Sequence, residues 1–530
     1  MAEKRGYGVG LQYFPDMIQR GAVYVDKTEY VYKMAHSLGK NFFLSRPRRF
    51  GKSLLVTTLQ AFFEGRKELF EGLAAGRLEK EWTKYPVIRL NLSNGKYYEK
   101  ERVHGTIHYI LKEQEERWGV TVENPENYDA RLSEIIRAAY RQTGRQVVIL
   151  IDEYDAPMLD SITKPELQDY IRERIRNLFS PLKSQEEYLR FVFLTGISKF
   201  SQLSVFSELN NLNVLTFDSE YEACCGITEE ELLTQLKPDI EWLSESMSKR
   251  RRPMDYDETV AELKRMYDGY HFSDRMTDIY NPWSLIYAFE KGVIDNYWFS
   301  TGTPTPLINL LRVRQMTLPD LEGVECDMEQ FDAPTERITD PIPVLFQSGY
   351  LTLKSFISYT NRFVLGFPNR EVREGFGKSL YNYCVPEYIG SRNQMNGVFW
   401  NLRLKRITFE EFLDKVRLWY AGIPYSVTDK NQNEQFYQAL FYALMVGNGA
   451  DVEAEGQTSD GRFDIALKMP EAIYIIEFKL GKTAREAVDQ ILAKDYAVRF
   501  AADGRPVYAV GLNIAPDRRT IDDVMMLGVD

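Results

Sequence analysis

Arg46-Pro47-Arg48-Arg49-Phe50-Gly51-Lys52-Ser53 is the stretch on which the fold turns. Just ahead of it, Asn41-Phe42-Phe43-Leu44 reads as a buried strand, and behind it residues 53–63 carry a helical apolar pattern. Set against G-x-x-x-x-G-K-[ST], the last three positions match and Arg46 stands where the first glycine would be. The chemistry explains the residue types. Gly51 lets backbone N–H groups approach phosphate oxygens, Lys52 brings a point charge to terminal phosphates, and Ser53 offers a hydroxyl to Mg²⁺. The helix that follows presents its N-terminus to the anion.

Such a loop needs acidic partners on a neighbouring strand. Gln146-Val147-Val148-Ile149-Leu150-Ile151-Asp152 is close to continuously apolar, as a strand of a parallel sheet must be. It delivers Asp152 and Glu153 to its C-terminal edge, where ligands bind in such sheets. Asp152 is expected to hold Mg²⁺ and Glu153 to orient or deprotonate the attacking water, with Asp155 close by. A further strand over 189–196 ends in Thr195-Gly196-Ile197-Ser198-Lys199, so Thr195, then Ser198, are candidates for sensing a γ-phosphate. Arg48, Arg49 and Lys199 are basic residues suited to phosphate or nucleic acid, and no local rule chooses between the two. Further strands and helices are expected over 85–92, 104–118 and 130–143. Strands alternating with helices predict an α/β layer with a parallel sheet.

A second constellation lies near the C-terminus. Residues 461–467 and 472–479 read as strands; Asp464 falls in the first, Glu477 and Lys479 in the second. Side chains alternate along a strand, so Glu477 and Lys479 share a face. In an antiparallel pair Asp464 meets Glu477, and two carboxylates bracket Mg²⁺ beside an ammonium group. That is equipment for metal-assisted phosphodiester hydrolysis. Glu434, on a helix over 433–446, is a further candidate ligand. Gln490, on a helix over 485–500, offers a polar contact. Residues 506–512 are expected as the last strand.

Composition sets bounds. The chain has 530 residues, 66 basic and 77 acidic side chains, a formal charge of −11, four histidines and four cysteines. No set of His and Cys with zinc-ligand spacing occurs, and no motif surrounds any histidine as a hydrolase triad requires. His104 and His108 lie one helical turn apart without the glutamate of H-E-x-x-H, and are read as structural. No stretch approaches a membrane span, and adjacent Cys224 and Cys225 suit a reducing cytoplasm. Residues 401–530 hold 16 basic and 20 acidic side chains, so this block has no overall cationic field. In the middle, 227–266 is helical and highly charged, and Lys249-Arg250-Arg251-Arg252 reads as a solvated helix end. From 346 to 369 the order helix, strand, turn, strand suits a small winged-helix unit.

These motifs carry a family resemblance. Residues from about 6 to 213 resemble the AAA-ATPase-like family of bacterial and archaeal P-loop proteins, through Tyr24-Val25-Asp26-Lys27-Thr28, R-P-R-R-F-G-K-S-L at 46–54, I-L-I-D-E-Y-D-A-P at 149–157 and residues 194–198. Residues from about 434 to 511 look like the PD-(D/E)XK nuclease-superfamily domain often fused to that ATPase. They match through Glu434, Gly461-Arg462-x-Asp464, Glu477-x-Lys479 and Gln490, with Phe463 where the superfamily's proline stands. The resemblance implies an AAA-like parallel sheet at the front and a restriction-endonuclease-like domain at the back; together with the pattern of the middle region, the α/β chain is expected to divide into an AAA-like domain over 1–225, a helical lid over 226–300, a winged-helix-like connector over 301–400 and the nuclease-like domain over 401–530. It implies ATP binding through Arg49, Phe50, Gly51, Lys52, Ser53, Leu54, Asp152 and Thr195. Mg²⁺ is expected at Ser53 and Asp152, and again at Glu434, Asp464 and Glu477. Catalytic roles fall to Glu153, Asp464, Glu477 and Lys479. Two readings stay open: an ATPase coupled to a nuclease acting on DNA or RNA, and a nucleotide-dependent switch whose C-terminal fold binds without cutting. Assembly of several copies is compatible with both.

Overall fold

A computed structural model describes residues 4–161, 164–198, 212–250, 253–298, 307–308, 311, 314, 316–333, 340–384, 392–421, 434–454, 456–458, 461–517 and 520–529. Lys199, Arg251 and Arg252 therefore lie outside the described residues. The chain divides into two compact units, one of residues 1–298 and 323–369, the other of 299–322 and 370–530.

The first unit is built on a five-stranded sheet. Its strands are β1 (Asn41–Ser45), β2 (Val87–Asn91), β3 (Val147–Asp152), β4 (Leu189–Gly196) and β5 (Asn213–Val214), in the order β2-β3-β4-β1-β5. Every pairing is parallel. All six residues of β3 are buried, because helices cover both faces. On one face Ile88, Ile149 and Val192 pack against the helices Lys100–Trp118, Tyr128–Thr143 and Pro165–Phe179. The helix Lys52–Phe63 also packs on the sheet, where Phe63 meets Phe191 with ring centroids 4.8 Å apart. A short helix, Thr28–Ala35, precedes β1.

The same unit contains a helical part: Glu229–Gln235, Lys237–Lys249, Tyr256–Tyr267 and Pro282–Lys291, with the small strand pair β6 (Ile227–Thr228) and β7 (Ile279–Tyr280). Its starts are capped as the sequence demands. Thr228 with Glu231 and Asp255 with Glu258 form capping boxes, and Asn281 accepts from two backbone N–H groups. Lys249 and Arg250 stand at a helix end. A three-stranded antiparallel sheet of β8 (Val324–Cys326), β10 (Arg362–Gly366) and β9 (Thr352–Ile357) follows the helix Pro341–Gln347 in part, giving the helix–strand–turn–strand order read from the sequence.

The second unit carries a mixed sheet, β11-β14-β15-β16-β17: Asp451–Ala454, Ile465–Lys468, Ile473–Leu480, Val507–Ala515 and Thr520–Val529. Only β15 and β16 run parallel, joined by a crossover through the helix Ala484–Ala493. Two short strands, β12 (Gln457–Thr458) and β13 (Gly461–Arg462), pair separately.

Three expectations need correction. The strand expected over 461–467 is broken: β13 ends at Arg462, β14 starts at Ile465, and Asp464 sits between them. The chain leaves one hairpin there and joins another sheet. The helix expected over 485–500 stops at Ala493, because Asp495 takes a left-handed φ of 46° before a 3-10 turn, Tyr496–Phe500. The last strand is not 506–512 but β17, which pairs antiparallel with β16 along its length.

Candidate functional site

Two sites assemble from these elements, one in each unit. In the first, β1 ends at Ser45 and the chain turns through Arg46–Gly51 into the helix that Lys52 opens. Gly51 has φ +91°, and nothing lies within 4 Å of where its Cβ would be. The conformation, not crowding, asks for glycine. Arg49 also takes a left-handed φ, 70°. Lys52 is buried, and its Nζ donates to the carbonyls of Arg46 at 2.9 Å and Pro47 at 3.0 Å. Those carbonyls hold the ammonium where phosphate oxygens would compete for it.

β4 lies between β1 and β3, so the loop and the acidic strand end face each other across one strand. Asp152 is 1% exposed and leaves Oδ1 without a partner. Glu153 holds a left-handed φ of 50°, a strained setting for a non-glycine residue next to the loop. Asp155 accepts the backbone N–H groups of Ile197 at 2.8 Å and Ser198 at 2.6 Å. Burial pushes the carboxyls of Asp152, Glu153 and Asp155 up and the Lys52 ammonium down. Each group is penalised for its charge until an opposite charge or a cation compensates it.

A cleft of about 460 Å³ opens over Gly51, Lys52, Ser53 and Glu153. That volume lies within the usual range of small-molecule sites. Its other walls were not legible as a site: Gly8–Gln12 from the N-terminal segment, and Trp283, Ile286 and Tyr287 from the helix Pro282–Lys291. The only local signals were Gly8, Gly10 and the N-P-W sequence at 281–283. The Arg49 guanidinium stacks over Trp283 at 3.9 Å.

Several residues of the motifs turn inward, Phe50 and Thr195 of the expected nucleotide site among them. Arg46 is 1% exposed, donates to the carbonyls of Ser45, Thr216, Tyr221 and Glu222, and lies 4.0 Å from the Phe272 ring centroid. It anchors the loop rather than facing the cleft. Phe50 packs edge-on against Tyr270 and Phe272, so only its backbone is on offer to a ligand. The Thr195 hydroxyl is engaged inside the sheet, donating to Leu44 at 2.8 Å. The Asp26 carboxylate accepts from Thr28 and Ala74, and Lys27 pairs with Glu231 at 2.6 Å, so the Y-V-D-K-T segment is a brace. His104 meets the Tyr128 hydroxyl and His108 lies by Arg131, both structural contacts.

In the second unit β14 and β15 are antiparallel, with Ile465 opposite Ile476. One step further along that register, Asp464 faces Glu477. The Asp464 carboxylate accepts the Phe478 N–H at 2.8 Å, which fixes it beside the strand it does not belong to. Glu477 and Lys479 do share a face, with Lys479 Nζ 3.0 Å from Glu477 Oε1. Gln490 donates to the same Glu477 oxygen. Glu434 stands 3.7 Å from Lys479 and accepts the Leu480 N–H at 3.2 Å. Gln438, which the sequence did not single out, donates to the Asp464 carbonyl at 3.2 Å.

Burial, reinforced by Glu477, lifts the Asp464 carboxyl to about 7; burial also lifts Glu477. Burial works against the charge on Lys479, but Glu477 outweighs it and the ammonium is held up. Glu477 Oε2 is buried with no partner. Among the described residues no three His, Cys, Asp or Glu side chains gather as a ready metal centre. Mg²⁺, however, uses one or two carboxylates and keeps several waters. An unpartnered Glu477 oxygen beside a carboxyl that resists ionisation fits that donor set, as does the unpartnered Asp152 Oδ1 beside Ser53.

A family model described as a predicted AAA-ATPase matches residues 8–206, and one described as the PD-(D/E)XK nuclease superfamily matches residues 432–524. An Azotobacter chroococcum mcd 1 protein, described as an uncharacterized protein in the vnfD 5' region, is 34% identical over 514 residues, covering 94% of each chain. Among solved structures, the Aeropyrum pernix ORC2 protein (ADPNP–ADP complexes) is 12% identical, with a TM-score of 0.25 over 67% of this chain and 92% of that one. The Aeropyrum pernix ORC1 protein in complex with DNA is 13% identical, with a TM-score of 0.22 over 69% and 93%. At those scores neither likeness carries an argument. Among the described residues no helix is long and apolar enough to cross a membrane.

Proposed function

The chain belongs to the family that joins a predicted AAA-type ATPase domain to a PD-(D/E)XK nuclease-superfamily domain, and from that premise we propose that it binds and hydrolyses ATP and cuts nucleic acid at its C-terminal site. The observation that carries this reading is the pairing of two buried carboxylate sites, each beside a lysine and each with an unpartnered carboxylate oxygen.

At the first site Lys52 exchanges its loop carbonyls for phosphate oxygens. Ser53 and Asp152 would hold Mg²⁺, and Glu153 would orient water for attack on the terminal phosphate. In this reading 226–300 acts as a lid and 301–400 as a winged-helix-like connector. At the second site Asp464 and Glu477, with Glu434 at the rim, would hold Mg²⁺, which when bound would supply a Lewis acid to a phosphodiester and activate water for attack. Lys479 positions that water or meets developing charge, while Gln490 keeps Glu477 in place. DNA or RNA is the proposed partner and the cytoplasm the proposed location.

The test separates the halves. Lys52→Ala and Asp152→Asn are expected to abolish ATP hydrolysis, and Asp464→Ala and Lys479→Ala to abolish cleavage with ATP hydrolysis intact. A second reading, a nucleotide-dependent switch that binds without cutting, is favoured by the acidic balance of residues 401–530. Robust ATP binding with no Mg²⁺- or Mn²⁺-dependent cleavage of any nucleic acid would select it.

A further inference from the structure

β2 is the edge strand of the parallel sheet, and a cleft of about 770 Å³ runs along it. Edge strands leave backbone groups unpaired and are usually covered. Here the helix Lys100–Trp118 does the covering: Arg117 donates to the Val87 carbonyl at 3.2 Å and Gln114 to the Arg89 carbonyl at 3.5 Å. Edge protection accounts for those two contacts but not for what remains. Gln114 is 5% exposed, yet its Oε1 has no partner. Arg89 and Gln60 line the same cleft, and Arg89 Nε and Gln60 Oε1 are also buried and unpartnered. Buried polar atoms left in this state are uncommon, and three along one cleft call for a ligand or water.

The three atoms are two acceptors and one donor. An exocyclic amino group beside a ring nitrogen offers the complement, two N–H donors and an acceptor. Adenine and cytosine carry that edge; thymine and uracil do not. Glutamine is a side chain that commonly reads such an edge on adenine, and an arginine N–H can meet the ring nitrogen. Two tyrosines stand at the cleft, Tyr13 at 40% exposure and Tyr109 at 70%, ring surfaces on which a base can stack. The charge is nearly balanced, Arg89, Arg102 and Arg117 against Glu101 and Glu113. The cleft therefore lacks a strong track for a phosphate backbone, and recognition falls on the base.

We propose that the β2-edge cleft is a second ligand site that binds an amino-bearing nucleobase, carried by a mononucleotide or by single-stranded nucleic acid. It is separate from the phosphate loop and does not depend on the ATPase or nuclease readings.

The test uses the full chain in EDTA, which removes metal-dependent cleavage, with fluorescent dA12 and dT12 followed by anisotropy and with unlabelled AMP as competitor. Wild type is expected to bind dA12 more tightly than dT12. Tyr109→Ala, at an exposed position, is expected to weaken dA12 binding by about fivefold or more with ATP hydrolysis unchanged. Gln114→Leu is expected to remove the preference for dA12. Competition by AMP at concentrations near the dA12 affinity assigns the site to mononucleotides, and its absence assigns it to single strands. Equal binding of dA12 and dT12, no binding of any probe, or affinities unmoved by Tyr109→Ala would overturn the proposal and leave the cleft to water.

Discussion

Asp268→Asn should make the protein more stable at pH 8 and should fail to do so at pH 5. Asp268 ends the helix Tyr256–Tyr267; it is 2% exposed, and neither carboxylate oxygen has a hydrogen-bond partner. Lys264 is 3.8 Å away but lies closer to Glu229, at 2.9 Å, and Asp278, at 3.1 Å. Burial, with Asp278 adding to it, lifts the Asp268 carboxyl from 3.8 to about 7. The folded pKa is above the unfolded one, so the fold disfavours the ionised form. That cost is absent below pH 4, grows from 4 to 7 and is complete above 7. Three units at about 1.4 kcal/mol each make it about 4 kcal/mol. Asparagine removes the charge but leaves an unsatisfied amide N–H, which costs about 1–3 kcal/mol. The net gain is therefore about 1–3 kcal/mol at pH 8, turning neutral or unfavourable at pH 5. Thermal unfolding of both proteins at pH 5, 6.5 and 8 measures it. A Tm difference independent of pH, or a variant less stable than wild type at pH 8, would show that the fold does not penalise an ionised Asp268.

Other consequences are simpler. Arg46→Met should destabilise the first unit by about 2 kcal/mol or more, because four backbone carbonyls lose their donor; an unchanged Tm would contradict the anchoring role. Gly51→Ala meets no steric obstacle, so its cost of about 1–2 kcal/mol comes from φ alone, and weaker ATP binding by calorimetry should accompany it.

The parallel sheet was legible because buried strands of such sheets are unbroken apolar runs, and β3 is one. The carboxylates at its end and the Glu477–Lys479 pair followed from strand alternation. Other features depend on partners distant in sequence. Arg46 reads as part of a solvated basic loop until Thr216, Tyr221 and Glu222 fold over it. The walls of the cleft over Lys52 come from residues 8–12 and 283–287, which no local pattern connects. β17 escaped notice because Asp522 and Asp523 lie on a strand at the sheet's edge, where one flank needs no apolar residue. Asp464 reads as a strand residue because residues 461–467 carry a strand's composition; the switch from β13 to β14 is set by which sheet each pairs with.

The most direct measurement is cleavage of a panel of single- and double-stranded DNA and RNA with ATP and Mg²⁺ or Mn²⁺, comparing wild type with the Asp464→Ala, Glu477→Ala double variant. Metal-dependent cleavage by wild type, none by the double variant, and equal ATP hydrolysis by both are expected. Cleavage that persists in the double variant would contradict the assigned site.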